Sequence, residues 1–509
     1  MAFEYVPVDR DQQFLLPPDV REWLPSTHLV WFVLDVVARV DTSRLHARHR
    51  RDGVGRRAYD PDMLLALLVY AYCTGQRSSR QIERLCEVDV AYRVICANSV
   101  PDHTTIARFR QGHQDEAVQL FTDVLVMCAS CGLVKVGVIA VDGTKIAGAA
   151  SLKANRTRTQ IEDEVRKMMV DAAEVDAAED DLFGSGDRGD GLPGDLVDPR
   201  KRRARLDAAV AELERARLAR EDAERTARQA QIEALASGER RPGKPMIGTE
   251  VAAAELALEL ARRGALARYE QLVEAAAGRT GRGRSGARPK PTGFAVRRAE
   301  QRLERARRVE AERAERAQVD NQNARVNTTD PHSRIMKTPH GWVQGFNAQA
   351  AANEQGIVIA GDVTQDANDS LQCQPMIAAT RASLDAAGVT GEIGILLFDA
   401  GYLSDDNLTA PGPDRLIATG KSHTLRKSEP TSGPAPQGLS PTEAMEHRLR
   451  TPEGADIYKK RQHTIEPVFG TIKEARGYRR FVHRGLNAAK AEWLLILAAH
   501  NINKAFTHS

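Results

Sequence analysis

Between residues 155 and 322 the chain is written largely in Ala, Arg and Glu. RKRRARLDAAVAELERARLAREDAERTARQAQIEAL (200–235) and FAVRRAEQRLERARRVEAERAERAQ (294–318) are typical. These are strong helix formers of mixed charge. The piece between them, AAAELALELARRGALARYEQLVEAAA (252–277), is more apolar. Breaker-rich joints at 183–195, 237–245 and 278–293 separate the pieces. We expect a long helical, charged insertion over 155–329, its joints exposed and its charges mostly on solvated faces. A DNA-facing role for its arginines is the lesser alternative. The constraint is topological: any sheet must be assembled from residues on both sides of this block.

A chain of 509 residues exceeds one core, so several domains are expected. At 42% hydrophobic and 28% charged it can fold and stay soluble. A net charge of +3 argues neither for nor against nucleic acid, and any basic surface must come from local clustering. Six cysteines make no disulfide framework. Cys128 and Cys131 form a lone CxxC, read as small core residues rather than a metal or redox pair. No signal peptide and no bilayer-length apolar run are seen, so a cytoplasmic protein with no membrane partner is expected.

Residues 1–135 read as a helical domain. HLVWFVLDVVARV (28–40) and DPDMLLALLVYAYCTG (60–75) suit packed helices, the second opened by Pro61 and stopped by Gly75. Residues 78–113 read as short helices, a turn near Asn98–Ser99, and a last helix capped by Asp102 that carries Thr104, Thr105, Arg108 and Arg110. That is the size of a helix-turn-helix. An ordinary bundle with exposed arginines fits this segment equally well.

The α/β texture lies at 136–154 and 330–509. VIAVDGTKIAG (138–148) is an apolar strand broken by Asp142. GWVQGFNAQAAAN (341–353) and GIVIAGDVT (356–364) read as two strands joined by a turn. Residues 370–388 read as a helix, IGILLFDAGY (393–402) as a strand ending in Asp399, and 414–422 as a shorter strand. A loop to about residue 452 and closing helices at 457–481 and 488–506 complete the chain. Alone, Asp142–Gly143 is an ordinary turn pair. With Asp399 on a second strand end and Glu466 on a late helix, three acids can converge at one sheet edge, where sites of α/β proteins lie. Two carboxylates about 4 Å apart repel by roughly 4 kcal/mol at an effective dielectric near 20, so three need a cation. Oxygen ligands suit Mg²⁺ or Mn²⁺, and two such ions can serve displacement at phosphorus.

The order strand-Asp, strand-Asp, helix-Glu resembles the DDE insertion-sequence transposases. DPHSRIMK (330–337), GFNAQAA (345–351), LFDAGY (397–402), IEPVFGTIK (465–473), GYRRF (477–481) and AAHNINK (498–504) all resemble stretches of one bacterial branch. Residues 59–110 are similar to its InsH-type N-terminal domain. The resemblance implies a ribonuclease H-like mixed sheet core with a helical N-terminal DNA-binding domain (1–135). The core's first strand lies in 136–154, the insertion in 155–329 and the rest of the core in 330–509. It implies Asp142, Asp399 and Glu466 as catalytic, metal-binding triad and two Mg²⁺ or Mn²⁺ ions. It also implies double-stranded DNA partners, namely terminal inverted repeats and target DNA, and a homodimer in the synaptic complex. The location implied is the bacterial cytoplasm, at the nucleoid. The activity implied is cleavage at the element ends and transfer of the 3′-hydroxyl strand. A cut-only or inactive DNA-binding relative is the alternative.

The family's Tyr-Arg-Glu-Lys helix signature is matched with one departure. Tyr458 and Arg461 are spaced as in the family, as are Glu466 and Lys473, but four residues rather than three lie between Arg461 and Glu466. At about 100° per residue, Glu466 and Lys473 differ by roughly 20° around a helix while Arg461 lies about 140° away. Pro467 is expected to start or kink the helix there. Lys473, Tyr458, Arg461, Arg108 and Arg110 are the expected DNA contacts, Lys473 at a phosphate. Asp362, which also ends an apolar strand, competes with Asp399. In the ribonuclease H arrangement the first and fourth strands are neighbours, which favours Asp399. GERRPGKP (238–245) fails as a phosphate loop because Pro245 replaces its Ser or Thr. GDRGDG (186–191) lacks the ligands of a calcium loop. His500, in an apolar helix, reads as a core residue, and His463 has no nucleophile beside it.

Overall fold

The computed structural model describes residues 19–47, 58–167, 199–237, 249–277, 293–339, 341–420 and 429–508. They fall into two units, one from 1–153 with 332–509 and one from 154–331. Of the joints expected from sequence, 183–195 and nearly all of 237–245 and 278–293 lie outside the described residues. So do both rejected loops, 186–191 and 238–245.

The first unit begins with seven helices: α1 (Leu29–Val37), α2 (Ser43–Ala47), α3 (Pro61–Cys73), α4 (Ser79–Val88), α5 (Val90–Ile95), α6 (His103–Gly112) and α7 (Gln114–Ser130). Local chemistry sets their ends. Asp60 caps α3 by accepting from the amides of Asp62 and Met63, with Pro61 in the first turn. Asp102 caps α6 through the amides of Thr104 and Thr105, both at 3.0 Å. Between α5 and α6 the chain turns through Ala97 and Asn98, both at positive φ. The expected turn near Asn98 is therefore present.

Strand β1 (Val138–Ala147) follows. The second unit supplies β2 (Asn155–Thr157), a helical segment at 158–167, α8 (Pro199–Ser237), α9 (Thr249–Ala277), α10 (Phe294–Gln322) and β3 (Arg325–Asn327). β2 and β3 pair antiparallel, a short ribbon that the sequence reading did not include. α9 and α10 bury Ala254, Leu258, Val296, Leu303 and Ala306 against each other. Ion pairs such as Arg262–Glu300 and Arg307–Glu255 flank them.

The first unit resumes with β4 (Arg334–Thr338), β5 (Gly341–Asn353) and β6 (Val358–Thr364). Then come α11 (Cys373–Ala386), β7 (Ile395–Phe398), α12 (Asp405–Thr409) and β8 (Arg415–Ile417). The closing helices are α13 (Pro441–Arg450), α14 (Pro452–Thr464), α15 (Glu466–Gly470), a π-helical turn at Thr471–Ala475 and α16 (Leu486–His508). The sheet is mixed, in the order β4-β5-β1-β7-β8, with β6 also on β5. β1 sits centrally, antiparallel to β5 and parallel to β7. Ile139, Ala140 and Val141 are fully buried, as a continuous apolar run on a central strand requires. The loop expected up to residue 452 is corrected: α13 occupies part of it, opened by a capping box in which Ser440 and Glu443 satisfy each other's amides.

The N-terminal helices and the sheet share one hydrophobic core. α16 packs against α3, α7 and β6. The Tyr478 hydroxyl donates to the Tyr72 carbonyl at 2.8 Å, Asn503 donates to that of Cys73 at 3.2 Å, and Phe32 meets Phe506 at 5.6 Å. His500 is buried on α16, its Nε2 3.0 Å from the Gly356 carbonyl, and burial pushes it down to about 4. It is a core residue.

Candidate active site

The parallel pairing of β1 with β7 sets the site. Val138, Ile139 and Ala140 pair with Ile395, Leu396 and Leu397. The same register carried two residues further puts Asp142 opposite Asp399. The expectation that Asp142 ends its strand is corrected: β1 runs on through Asp142 to Ala147, paired with β5, whereas Asp399 follows the last residue of β7 and caps a 3-10 turn. Asp142 Oδ1 accepts from the Gly143 amide at 2.8 Å, and Asp399 Oδ1 from the Gly401 amide at 2.8 Å. Asp362 is elsewhere: on β6, across β5 from β1, paired with Lys490 at 2.7 Å.

Glu466 and Arg461 join from the closing helices. Arg461 Nη2 lies 2.7 Å from Asp142 Oδ2, and its Nη1 3.9 Å from Glu466 Oε1. The phase argument that set Arg461 on the far side of a helix is corrected. α14 ends at Thr464, α15 starts afresh at Glu466 with Pro467 in its first turn, and a π-helical turn follows. An interrupted helix does not conserve angular phase, so the extra residue is absorbed at the break. Tyr458 fastens α14 to the strand end below Asp399, donating to the Phe398 carbonyl at 3.0 Å. Lys473 donates to the Thr144 hydroxyl and, at 3.2 Å, to the Lys145 carbonyl, both on β1.

The electrostatics follow from burial. Burial pushes Asp142 up to about 6; Arg461 pulls it down, and the charge of Asp399 pushes it up again. Burial works against the Arg461 charge, but Asp142, Tyr458, Asp399 and Glu466 together hold it above the usual arginine value. Lys473 is lowered, by burial first and then by Arg479. Glu466 is the open member, with half its side chain exposed.

A fourth acid escaped the sequence reading. Asp369, between β6 and α11, pairs with Lys145 at 3.3 Å and accepts from Asn347 at 2.6 Å and Gln349 at 2.9 Å. In DANDS (366–370) it looks like any turn acid. Its partners left the better signal. Asn347 and Gln349 sit two apart in an otherwise alanine-rich strand, hence on one face, and both are fully buried. Buried amides need partners. Of the expected basic contacts in the N-terminal helices, Arg108 is exposed, whereas Arg110 turns inward and donates to the Arg77 carbonyl.

Fold and site define a class: a mixed α/β protein with one acid within a central strand, another just past the end of its parallel neighbour, and arginine and lysine beside them. Two family models match parts of the chain. Residues 18–112 match a family described as Transposase domain (DUF772), and residues 434–506 one described as Transposase DDE domain. Together these matches support a DDE-type insertion-sequence transposase. Tyr458, Arg461, Glu466 and Lys473 lie in the second matched segment, Arg108 and Arg110 in the first, and Asp142 and Asp399 in neither. No curated protein and no solved structure matches the chain. Among the described residues no helix is long and apolar enough to cross a membrane.

Proposed function

We propose that this transposase cuts DNA at the ends of its element and joins the freed 3′ ends to target DNA, with Asp142, Asp399 and Glu466 as metal-binding triad. The observation that supports this reading is the β1–β7 register, which, continued two residues past its last pair, brings Asp142 opposite Asp399. The ribonuclease H-like reading of the core is supported by the central β1 with one antiparallel and one parallel neighbour. The donor chemistry fits a hard divalent cation: the three acids offer carboxylate oxygens, and Arg461, 2.7 Å from Asp142, stands among them as the counter-charge. Mg²⁺ or Mn²⁺ held there, two ions in this reading, would neutralise charge on the attacking and leaving oxygens.

The chain's own residues do the rest. In the first step a water oxygen bonds to phosphorus at the element end, the bond from phosphorus to the 3′ oxygen breaks, and a 3′-hydroxyl is released. In the second, that hydroxyl attacks a target phosphodiester in the same way, with no covalent protein intermediate. Arg461 holds the Asp142 carboxylate in place, and Tyr458 fixes α14 against the strand end. Glu466, the exposed member, faces incoming DNA, and Lys473 offers a positive charge for a phosphate beside β1. Arg108, exposed on α6, is assigned to the terminal repeats, with the inward-turned Arg110 bracing that helix through the Arg77 carbonyl and residues 1–135 as the DNA-binding part. Two copies would act together, because two ends are joined at once.

The test uses the full-length protein, a plasmid bearing the element ends, Mg²⁺, and sequencing of the products. The parent should yield joined strands. Asp142→Asn, Asp399→Asn and Glu466→Gln should each bind DNA yet yield neither cuts nor joints. Cutting without joining would reduce the protein to a nuclease, and cutting by all three variants would remove the triad.

A further inference from the structure

We propose that Asp369 is a positioning residue of this site, a carboxylate wedged between the glycines that follow Asp142 and Asp399 and holding both strand ends at a fixed spacing. The inference rests on the catalytic reading above.

Three donors converge on one Asp369 oxygen. Asn347 Nδ2 lies 2.6 Å from Oδ1, Gln349 Nε2 2.9 Å, and Lys145 Nζ 3.3 Å. Lys145 is on β1, three residues past Asp142, and Asn347 pairs with it across the sheet, as Gln349 does with Gly143. Asp369 is thus tied to the Asp142 strand by a charge and to the neighbouring strand by two amides. It is tied to the Asp399 turn as well, because Gln349 Oε1 accepts the hydroxyl of Tyr402, which ends the 3-10 turn that Asp399 caps. The glycines complete the fit. A Cβ on residue 143 would come within 2.5 Å of Asp369 Oδ1, and one on residue 401 within 3.3 Å of Asp369 Oδ2 and 3.0 Å of Asp399 Oδ1. One carboxylate therefore fills the space behind both acids. Lys145 balances its charge and donors crowd Oδ1, so it braces the site rather than competing for a cation.

Full-length Asp369→Asn, Asp369→Ala and Gly401→Ala are compared with the parent, with Asp142→Asn and Asp399→Asn as references and Asp362→Asn as control. Three quantities are read: cleavage kcat and KM for end-bearing DNA, calorimetric Kd for manganese chloride without DNA, and melting in chelator. Asp369→Asn should lower kcat about a hundredfold with KM held within about twofold, since an ångström of misplacement costs that much. Its manganese Kd should weaken about tenfold, as for other residues that orient ligands. Gly401→Ala keeps every charge but crowds Asp399 Oδ1 first and Asp369 Oδ2 second, so it should lower kcat likewise as a reference for misplacing the two acids together, while the near-isosteric Asp369→Asn carries the test if Asp369→Ala does not fold. Asp362→Asn should match the parent. Parent-like kcat and manganese affinity in Asp369→Asn would overturn the inference, as would a loss confined to melting temperature. If Asp142→Asn and Asp399→Asn are dead while Asp369→Asn cuts normally, only this inference falls. If all three cut, the catalytic reading falls with it.

Discussion

Charged residues crowd two regions of this protein, and they do different things there. On the helices of the second unit, arginine and glutamate pair along one helix, as Arg263 with Glu259, or across two, as Arg307 with Glu255, with more than half of each side chain in solvent. Where β1 passes the end of β7, Asp142 on β1 and Arg461 on α14 meet with less than a fifth of each side chain exposed. Water screens the first set, so each pair is worth little and can be exchanged. Water is withdrawn from the second, so each charge depends on its partner and the acids disturb one another. The same residue types form a solvated helix surface in one place and a buried charge cluster in the other, and exposure decides which.

The comparison can be broken most sharply by chemistry. Loss of one triad acid should slow DNA cleavage about a thousandfold, the equivalent of roughly 4 kcal/mol of transition-state stabilisation. A cleavage time course with Asp399→Asn beside the exposed-pair variant Arg307→Ala measures the contrast, and the latter should cut like the parent. Next in size is removal of a buried partner. Arg461→Ala leaves Asp142 buried without its cation and should destabilise the first unit by about 3–5 kcal/mol at neutral pH in chelator, read from urea unfolding.

A smaller effect of opposite sign is expected at Asp142. Its folded-state value of about 6 lies above the unfolded 3.8, so the folded protein binds the extra proton between these values. Stability is therefore lost as pH rises from about 4 to about 6. Asp142→Asn removes that cost but leaves Arg461 without its buried anion, so the net gain of the metal-free protein at pH 7–8 should stay below about 2 kcal/mol. The gain should fade towards pH 4, which melts across pH would show. The smallest effect belongs to the second unit, where Arg307→Ala should change stability by under about 1 kcal/mol and less in high salt. An Arg307 effect as large as that of Arg461 would erase the distinction between the regions.

Much of the fold could be read because its signals are local. The α3 boundaries came from Asp60, Pro61 and Gly75, the β5–β6 pair from alternating apolar runs, and the insertion helices from composition. α13 was missed although its capping box was in view, because the Pro- and Ser-rich stretch before it outweighed four residues of signal. Asp142 and Asp399 stood out as acids in apolar settings, and Glu466 as an acid on a late helix that the family resemblance picked out. Asp369 did not, since an acid in a turn is unremarkable until its neighbours are known. The Arg461 phase failed for a related reason. It assumed a continuous helix, and Pro467 with the π-helical turn broke it.

By itself the sequence determined most of the long helices and apolar strands, that the sheet must bridge a long helical block, and that Asp142 and Asp399 interrupt or end apolar runs. Those follow from near-neighbour effects, namely caps, periodicity and propensity, which act within a few residues. Only the tertiary structure decided that β7 lies parallel beside β1, that Arg461 reaches Asp142, and that Asp369 is held by Lys145, Asn347 and Gln349. These partners lie from 20 to more than 300 residues apart in the chain. Their meeting depends on which strand pairs with which and in what register, and a one-residue slip would turn each side chain to the opposite face.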